Sequence, residues 1–324
     1  MTVRVRVPAS SSNLGAGFDC VGVAVDRWLV AAVTPVAGNT ISIRRGGRLT
    51  TVSVADEEDL LARGFRAAGA AAGAPATGAA IDATSDIPVG CGLGSSAAAI
   101  VAGALLADAA LELRLTRQQI VEIAARVEGH PDNVAPAVYG GAVLSVRTSA
   151  GLITTSLTVA DSLELLLAVP PFPSDTKAAR AVLPKTLPHG DAVVAASRAA
   201  ALVQGLSSGD GALLGAALDD VLHVPFRRGR IPGYDAVVKA ARHAGAFGAT
   251  LSGAGSAILA IAPRERSAAV GAAMIAAWRD SGIEAEVINC QSTVPGATVT
   301  ASVATHDARR TTHDARSTVI KELL

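Results

Sequence analysis

Aromatic residues are scarce in this 324-residue sequence, and neither positive nor negative charge is in excess. Phe, Trp and Tyr together make up 3% of it, so Ala, Val and Leu must fill the core. Such a composition favours closely packed helices and sheet over aromatic platforms that stack on bases. Lys and Arg number 28, as do Asp and Glu, which gives a net charge of zero. We therefore expect no nucleic-acid partner, because such proteins carry a basic surface.

Cysteine pairs and long apolar runs are also missing. The three cysteines are widely scattered and odd in number, which fits neither a disulfide framework nor a zinc site. The longest apolar run, residues 97–107, is far too short to span a bilayer. No basic-then-apolar signal segment opens the chain, because valines alternate with arginines from residue 3 as in a half-buried strand. These features predict a cytoplasmic protein with no membrane partner.

Lysine is absent from the glycine-rich segment at residues 87–96, Ile-Pro-Val-Gly-Cys-Gly-Leu-Gly-Ser-Ser. A Walker loop is therefore excluded, and the Gly-x-Gly-x-Gly spacing also differs from the dinucleotide fingerprint. Ala-rich sequence follows, so the segment predicts a loop that feeds a helix whose first amides bind an anion such as phosphate. Ser95 and Ser96 add hydroxyls for phosphate or Mg²⁺. The alternative is a tight turn that only caps a buried helix.

Two further polar features stand out. Thr116 and Gln119 form a capping box for a helix over residues 116–127. On that helix Glu122 is either half of an i,i+4 pair with Arg126 or a carboxylate that reaches Mg²⁺. The run Glu-Gly-His-Pro-Asp-Asn at residues 128–133 follows, and it groups more hydrogen-bonding side chains than a plain loop needs.

Element patterns predict an α+β protein of two layered domains. Strands with turns at residues 38–39 and 46–47 form a meander in a first domain, residues 1–160. The second domain, residues 161–293, has the order β, α, α, β, α, β. Residues 294–324 contain a repeated Thr-His-Asp-Ala-Arg motif and little apolar content. We interpret them as a flexible tail.

Four segments together resemble the homoserine kinases of the GHMP kinase superfamily, over nearly all of residues 1–290. They are residues 8–25, 88–99, 128–133 and 248–261. The resemblance implies the GHMP kinase fold, with a ribosomal S5-like N-terminal domain, a ferredoxin-like C-terminal domain and the active site between them. It also implies ATP and Mg²⁺ as cofactors and homoserine as the small-molecule substrate, whose hydroxyl is phosphorylated in a step toward threonine.

The resemblance also implies roles for individual residues. Glu122 and Ser95 or Ser96 hold Mg²⁺, with Ser95 and Glu122 counted among the catalytic residues. Asp132 and Asn133 orient the hydroxyl, and Asp132 either takes its proton or only aligns it. The remaining substrate contacts are Asn13 and Asp19 for the ammonium group, Arg180 and Arg227 for the carboxylate, and His130 and Thr176. ATP contacts the loop and helix start through Pro88, Gly90, Gly92, Leu93, Gly94, Ser95, Ser96 and Ala97.

Two alternatives stay open from the sequence. One is a kinase of the same fold that acts on another small hydroxy compound, such as threonine or a mevalonate-like alcohol. The other is a ligand-binding relative that has lost catalysis. The oligomeric state is also open, and a homodimer is one of the states considered.

Overall fold

The computed structural model describes residues 2–290 and 294–302, and two β-sheets organise them. Runs of strands and runs of helices follow one another along the chain, as in an α+β protein. The strands are β1 Thr2–Asn13, β2 Gly17–Val36, β3 Ile41–Gly47, β4 Gly78–Ser85, β5 Ala142–Thr148, β6 Gly151–Leu157, β7 Leu163–Val169, β8 Gly248–Leu251, β9 Ile258–Pro263, β10 Glu286–Cys290 and β11 Thr298–Ser302. The helices are α1 Leu60–Ala71, α2 Ser95–Ala110, α3 Arg117–Glu128, α4 Val134–Tyr139, α5 Thr176–Ala181, α6 His189–Ser208, α7 Gly211–Ala217, α8 Val224–Arg227, α9 Tyr234–His243 and α10 Ser267–Arg279.

The first sheet has the strand order β11-β1-β2-β4-β3, and β5 joins β2 to β6. Its pairs are antiparallel except β3–β4. Because β3 pairs with β4 and not with β2, the predicted meander is wrong at this strand. In the first half of β1 the valines are buried and the arginines exposed, which is the period-2 pattern that the sequence predicts. From Pro8 to Asn13 every residue is buried, because this half of β1 runs into the interior beside the functional cleft.

The second sheet has the order β10-β7-β9-β8, and its pairs are all antiparallel. Helices α5 to α9 connect β7 to β8, and α10 connects β9 to β10. A sheet in which the first strand lies between the fourth and the third, with the second strand at the edge, is the ferredoxin-like arrangement. The chain passes from one sheet to the other between β6 and β7, and the predicted domain boundary at residue 160 falls there.

The chain then returns to the first sheet, so residues 298–302, which the prediction placed in a flexible tail, form a strand instead. β11 pairs antiparallel with the outer edge of β1, from Thr2↔Ser302 to Arg6↔Thr298. Val299 is only 8% exposed and lies opposite Val5. The prediction failed because a short strand that completes a distant sheet edge has no strong local signal. The repeated motif at residues 305–316 lies outside the described residues.

Helix α2 occupies the centre of the first domain, with residues 97–107 all buried. Alanine and glycine suit this position because neighbouring backbone approaches closely. A Cβ on Gly103 would lie 2.0 Å from the carbonyl oxygen of Leu61, and one on Gly64 would lie 2.1 Å from that of Ile100. Helix α1 therefore packs directly on the α2 backbone, and this contact fixes the direction in which the α2 N-terminus points.

Helix α3 begins with the predicted capping box: the Thr116 hydroxyl accepts from the Gln119 amide, and the Gln119 side chain accepts from the Thr116 amide. Among the described residues, none of the helices combines the length and apolar character needed to cross a membrane.

Candidate active site

A cleft of about 340 Å³ opens where the two sheets meet. The glycine-rich loop and the first turn of α2 form one wall of it. The turn after β1, the end of α3 and the loop that follows form another, and α5 and α8 contribute from the second domain. The cleft therefore brings together most of the predicted site residues.

The glycine-rich loop requires its glycines for two separate reasons. Gly90, Gly92 and Gly94 have φ values of 73°, 80° and 65°, which L side chains rarely adopt. A Cβ would also collide with the surroundings: on Gly92 it would lie 2.2 Å from the Ser252 carbonyl oxygen, and on Gly94 it would lie 2.2 Å from the Ser10 hydroxyl. The loop backbone is thus in direct contact with both domains.

Gly94 is the N-cap of α2, and it has no side chain to satisfy the first amides of the helix. The amide of Ala98 bonds to the Gly94 carbonyl, so the amides of the three residues before it have no partner within the helix. Ser95 and Ser96 line the cleft. These amides and the helix dipole make this end of α2 suitable for a phosphate group.

Two of the predicted ATP contacts are not side-chain contacts in the cleft. The side chain of Ala97 is fully buried in the core, because α2 is covered on all sides from this residue onward. Pro88 lies behind the loop, in a separate depression that it shares with Val89 and Cys91. The other residues predicted to bind ATP all line the cleft.

Glu128, the last residue of α3, faces the first turn of α2. The Ser96 hydroxyl donates to its Oε1 over 2.5 Å. Burial raises the pKa of Glu128 above its ordinary value. The hydrogen bond from Ser96 and the positive charge of protonated His130 oppose this shift. A carboxylate and a hydroxyl at the edge of a phosphate-binding helix start are oxygen ligands of the kind that Mg²⁺ prefers.

Glu122, in contrast, does not line the cleft, so its predicted position at the metal is wrong. Its Oε1 accepts from Gln118 Nε2 over 3.0 Å, and it lies in a surface depression beside Arg126 and Gly151. Six residues along a helix correspond to a rotation of about 240° and a rise of about 9 Å. When Glu128 faces the cleft, Glu122 is therefore turned away from it.

His130 and Asp132 form a close pair on the loop after α3, with 2.6 Å between Nδ1 and Oδ1. Asp132 is only 2% exposed. Burial by itself lowers the pKa of His130, but the hydrogen bond to Asp132 and the charges of Asp132 and Glu128 outweigh it and raise that pKa. Asp19 also belongs to this group, since one ligand atom from each of Asp19, His130 and Asp132 lies within 4.8 Å of the others.

Arg180 reaches the same group from helix α5. Its guanidinium donates to both oxygens of Asp19, over 3.1 and 2.7 Å. No acid lies four residues from Arg180 in the sequence, where Thr176 and Pro184 stand, and its partner comes from the first domain. The side chain of Asp175 caps the N-terminus of α5, and Thr176, its first residue, lines the cleft.

The two predicted asparagines brace loops at the base of the cleft. Asn133 donates to the Ser12 hydroxyl and accepts from the Ser10 hydroxyl, both over 2.9 Å. Asn13 donates to the Gly253 carbonyl and accepts from the Asp19 amide. The oxygen and the nitrogen of each side-chain amide are therefore both hydrogen-bonded within the protein, although both residues line the cleft.

Arg227 ends helix α8 and is only 3% exposed. Its Nε donates to the Ala179 carbonyl over 3.0 Å, and its Nη1 donates to the Gly253 carbonyl over 3.3 Å. Burial and the neighbouring charge of Arg180 lower the pKa of Arg227. Within residues 2–290 and 294–302 no acceptor is bonded to Nη2 of Arg227. Because Arg227 lines the cleft, this nitrogen can donate a hydrogen bond to a ligand.

Comparison with known proteins identifies the family of the chain. Two family models match the chain: "GHMP kinases N terminal domain" over residues 59–141 and "GHMP kinases C terminal" over residues 199–280. A homoserine kinase of Trichormus variabilis is 38% identical over 92% of this chain and 98% of its own length. A homoserine kinase of Gloeobacter violaceus is 42% identical over 85% and 92% of the two chains. The chain belongs to the homoserine kinase family of GHMP kinases.

Solved structures support the same assignment of fold. A crystal structure of homoserine kinase from Cytophaga hutchinsonii has a TM-score of 0.83 at 31% identity, covering 92% of this chain and 97% of the other. A crystal structure of L. major mevalonate kinase in complex with R-mevalonate gives a TM-score of 0.63 at 17% identity, covering 87% of this chain and 94% of the other. The latter likeness shows the GHMP kinase fold alone. The predicted fold class is thus confirmed.

Several residues that shape the site of this homoserine kinase family member were missed from the sequence. Buried serines of β1 and of the loop after β8 hold the glycine loop: Ser11 bonds to Ser252, and the Ser252 hydroxyl donates to the Gly92 carbonyl. A buried Asp220–His223 pair lies behind Arg227. An apolar wall faces the glycine loop, and it contains Leu49, Val52, Val54, Leu60 and Leu61. A run of three serines inside an otherwise apolar strand was the one signal in the sequence for the first of these.

Proposed function

We propose that this cleft transfers the terminal phosphoryl group of ATP to the side-chain hydroxyl of L-homoserine, giving O-phospho-L-homoserine. The chain belongs to the homoserine kinase family, so it is a small-molecule kinase and uses ATP. The observation that supports the reaction best is that one cleft holds both a phosphate-binding helix start and an Arg180–Asp19 pair suited to an amino acid.

The nucleotide side of the cleft combines apolar surface with unpaired amides. The apolar wall at Leu49, Val52 and Leu61 would contact the base, and the amides at the start of α2 would bind the phosphates. Ser96 and Glu128 would hold Mg²⁺, because their oxygens lie together at the edge of this turn. When bound, the ion would neutralise charge on the phosphate oxygens.

The other side of the cleft has complementary charge for a zwitterionic amino acid. Nη2 of Arg227 and the outer face of Arg180 would bind the carboxylate, since a guanidinium matches a carboxylate in shape and charge. Asp19 would bind the ammonium group: each of its oxygens accepts one hydrogen bond from Arg180, and an ionised carboxylate has lone pairs for further donors. His130 and Thr176 complete the lining of this part of the cleft.

The hydroxyl of the substrate would be oriented by Asp132 rather than by Asn133. The amide of Asn133 is already bonded to Ser10 and Ser12, whereas Asp132 has a second oxygen that does not bond to His130. A carboxylate at this point can accept the hydroxyl proton as the nucleophile attacks. Phosphoryl transfer depends mainly on positioning and charge, so Asp132 need not be a strong base.

A coupled ADP-release assay with a small panel of alcohols would test the proposal. The panel contains L-homoserine, L-threonine, homoserinol and mevalonate, and phosphorus NMR identifies each product. We expect L-homoserine to have the highest kcat/KM and to require Mg²⁺. Preference for mevalonate or threonine would instead indicate a kinase for another hydroxy compound, and binding of ATP without turnover of any panel member would indicate a non-catalytic relative.

A further inference from the structure

His223 precedes helix α8 and is completely buried, yet it is not among the residues that line the cleft. Its ring has contacts on three sides. Nδ1 lies 3.4 Å from Nη1 of Arg227, and Nε2 lies 3.3 Å from the carbonyl oxygen of Gly15. The ring stacks on Phe18, with 5.0 Å between centroids and 21° between planes.

These contacts determine the protonation of the ring. A guanidinium can only donate hydrogen bonds, so Nδ1 of His223 must be the acceptor and carry no proton. Nε2 then carries the hydrogen and donates it to Gly15. Burial and the positive charge of Arg227 lower the pKa of His223, although the Asp220 carboxylate opposes the shift. The imidazole is therefore neutral, in one defined tautomer.

Asp220 fixes the position of this histidine. Its carboxylate accepts hydrogen bonds from the backbone amides of Leu222, His223 and Val224, over 2.9, 2.7 and 2.8 Å. The turn before α8 is thus held rigidly, and the side chains of His223 and Arg227, four residues apart, lie on the same side of it.

The two ends of the imidazole join groups from different domains. Gly15 belongs to the turn between β1 and β2, and this turn is flanked by Asn13 at the end of β1 and by Asp19 near the start of β2. Arg227 comes from the second domain and packs over Phe18 at 5.3 Å from the ring centroid. A shift of Arg227 by even one ångström would move Nη2 out of hydrogen-bond range of a bound carboxylate.

We propose that His223 is a positioning residue that keeps Arg227 in a fixed position relative to the turn before Asp19. In this way His223 sets the selectivity for a substrate with an α-carboxylate. The proposal rests on the proposed function, in which Arg227 binds that carboxylate. It concerns a side chain that touches neither substrate nor nucleotide.

The test measures one ratio, kcat/KM for L-homoserine divided by kcat/KM for homoserinol, which lacks the carboxylate. This ratio does not depend on how much of a variant is folded, because both substrates report on the same active molecules. The variants are His223→Asn, which keeps an acceptor near the Nδ1 position, and His223→Gln and His223→Phe, which do not. His243→Phe, at the exposed end of α9, is the matched control.

We expect His223→Gln and His223→Phe to lower the ratio about 10- to 100-fold, the range for losing a hydrogen bond to a charged group. KM for ATP should stay within about twofold, and His223→Asn should recover most of the selectivity. In an Arg227→Lys background, the further change to Phe at position 223 should have little effect, because the two side chains act as one unit.

Two outcomes would contradict different parts of the argument. Equal use of homoserine and homoserinol by the wild-type enzyme would refute the carboxylate site and with it the proposed function. If the wild-type enzyme is selective but His223→Gln and His223→Phe leave the ratio unchanged, the positioning role of His223 is refuted. The same holds if His223→Asn reduces the ratio as much as they do. Either result would leave the proposed function intact.

Discussion

Glu122 and Glu128 offer a direct comparison, because both are carboxylates on helix α3 and only one faces the cleft. We predict that Glu128→Gln strongly reduces turnover and that Glu122→Gln does not. The first substitution keeps the size and one oxygen of the side chain but removes the negative charge next to Ser96. The second removes a charge whose hydrogen bond is to Gln118 on the outer face of the helix.

The size of the effect follows from the loss of one charge near a cation. Two unit charges 4 Å apart interact by about 4 kcal/mol at an effective dielectric constant of 20. The amide that replaces the carboxylate of Glu128 keeps an oxygen ligand, so part of the interaction remains. A net loss of about 2 to 4 kcal/mol corresponds to a decrease in kcat of roughly 30- to 1,000-fold at limiting Mg²⁺. For Glu122 we expect less than about twofold, since exposed helix pairs contribute only tenths of a kcal/mol.

The assay is kcat against total Mg²⁺ at saturating ATP and homoserine. For Glu128→Gln the apparent Mg²⁺ requirement should rise, and excess Mg²⁺ should restore part of the rate. Thermal unfolding of both variants in the absence of nucleotide controls for loss of structure. A normal rate for Glu128→Gln at limiting Mg²⁺, or an equal loss in the two variants, would refute the assignment of the metal ligand.

The other predictions concern the KM for homoserine, ATP binding at the glycine-rich loop, the pH dependence of Mg²⁺ affinity and the contribution of β11 to stability. Arg180→Lys keeps the charge but loses the bidentate geometry toward Asp19, so KM for homoserine should rise about tenfold or more while KM for ATP is unchanged in the same assay. Gly94→Ala places a Cβ 2.2 Å from the Ser10 hydroxyl at a φ of 65°, so ATP binding measured by calorimetry should fall at least tenfold; normal affinity would refute the close contact. Because burial raises the pKa of Glu128, protons should compete with Mg²⁺ there, and the apparent Mg²⁺ affinity should fall with decreasing pH sooner than for an exposed glutamate. Val299→Ala should lower the free energy of unfolding in urea by about 1 to 3 kcal/mol; an unchanged midpoint would mean that β11 does not contribute to stability.

Contiguous motifs allowed most of the site to be predicted. The glycine-rich loop could be located because positive φ values demand glycine, and the helix after it because alanine favours helix. The run at residues 128–133 indicated a cluster of polar side chains, and two of them, His130 and Asp132, line the cleft. The loop and the helix start could be predicted by local rules because their residues are neighbours in the sequence, whereas the roles of His130 and Asp132 were implied only by the resemblance to homoserine kinases.

Residues that depend on tertiary packing were predicted less well. The choice between Glu122 and Glu128 depends on which face of α3 turns toward α2, and helix periodicity alone does not give that orientation. The partner of Arg180 comes from the first domain. Val299 lies almost the whole length of the chain from the strand that it joins. No short-range pattern encodes such pairings, because the partners are far apart in the sequence.

The same packing also makes the phosphate-binding loop dependent on the second domain. The carbonyl of Leu93 accepts a hydrogen bond from the amide of Ser10 in the first sheet, while that of Cys91 accepts one from the amide of Ala257, just before β9 of the second. The Ser252 hydroxyl then bonds to the Gly92 carbonyl between them. A small rotation of one sheet relative to the other would break one set of these bonds, so the loop keeps its shape only in one relative position of the domains. That position also fixes Arg227 against the turn before Asp19. The geometry of the phosphate site and that of the amino-acid site therefore cannot vary independently.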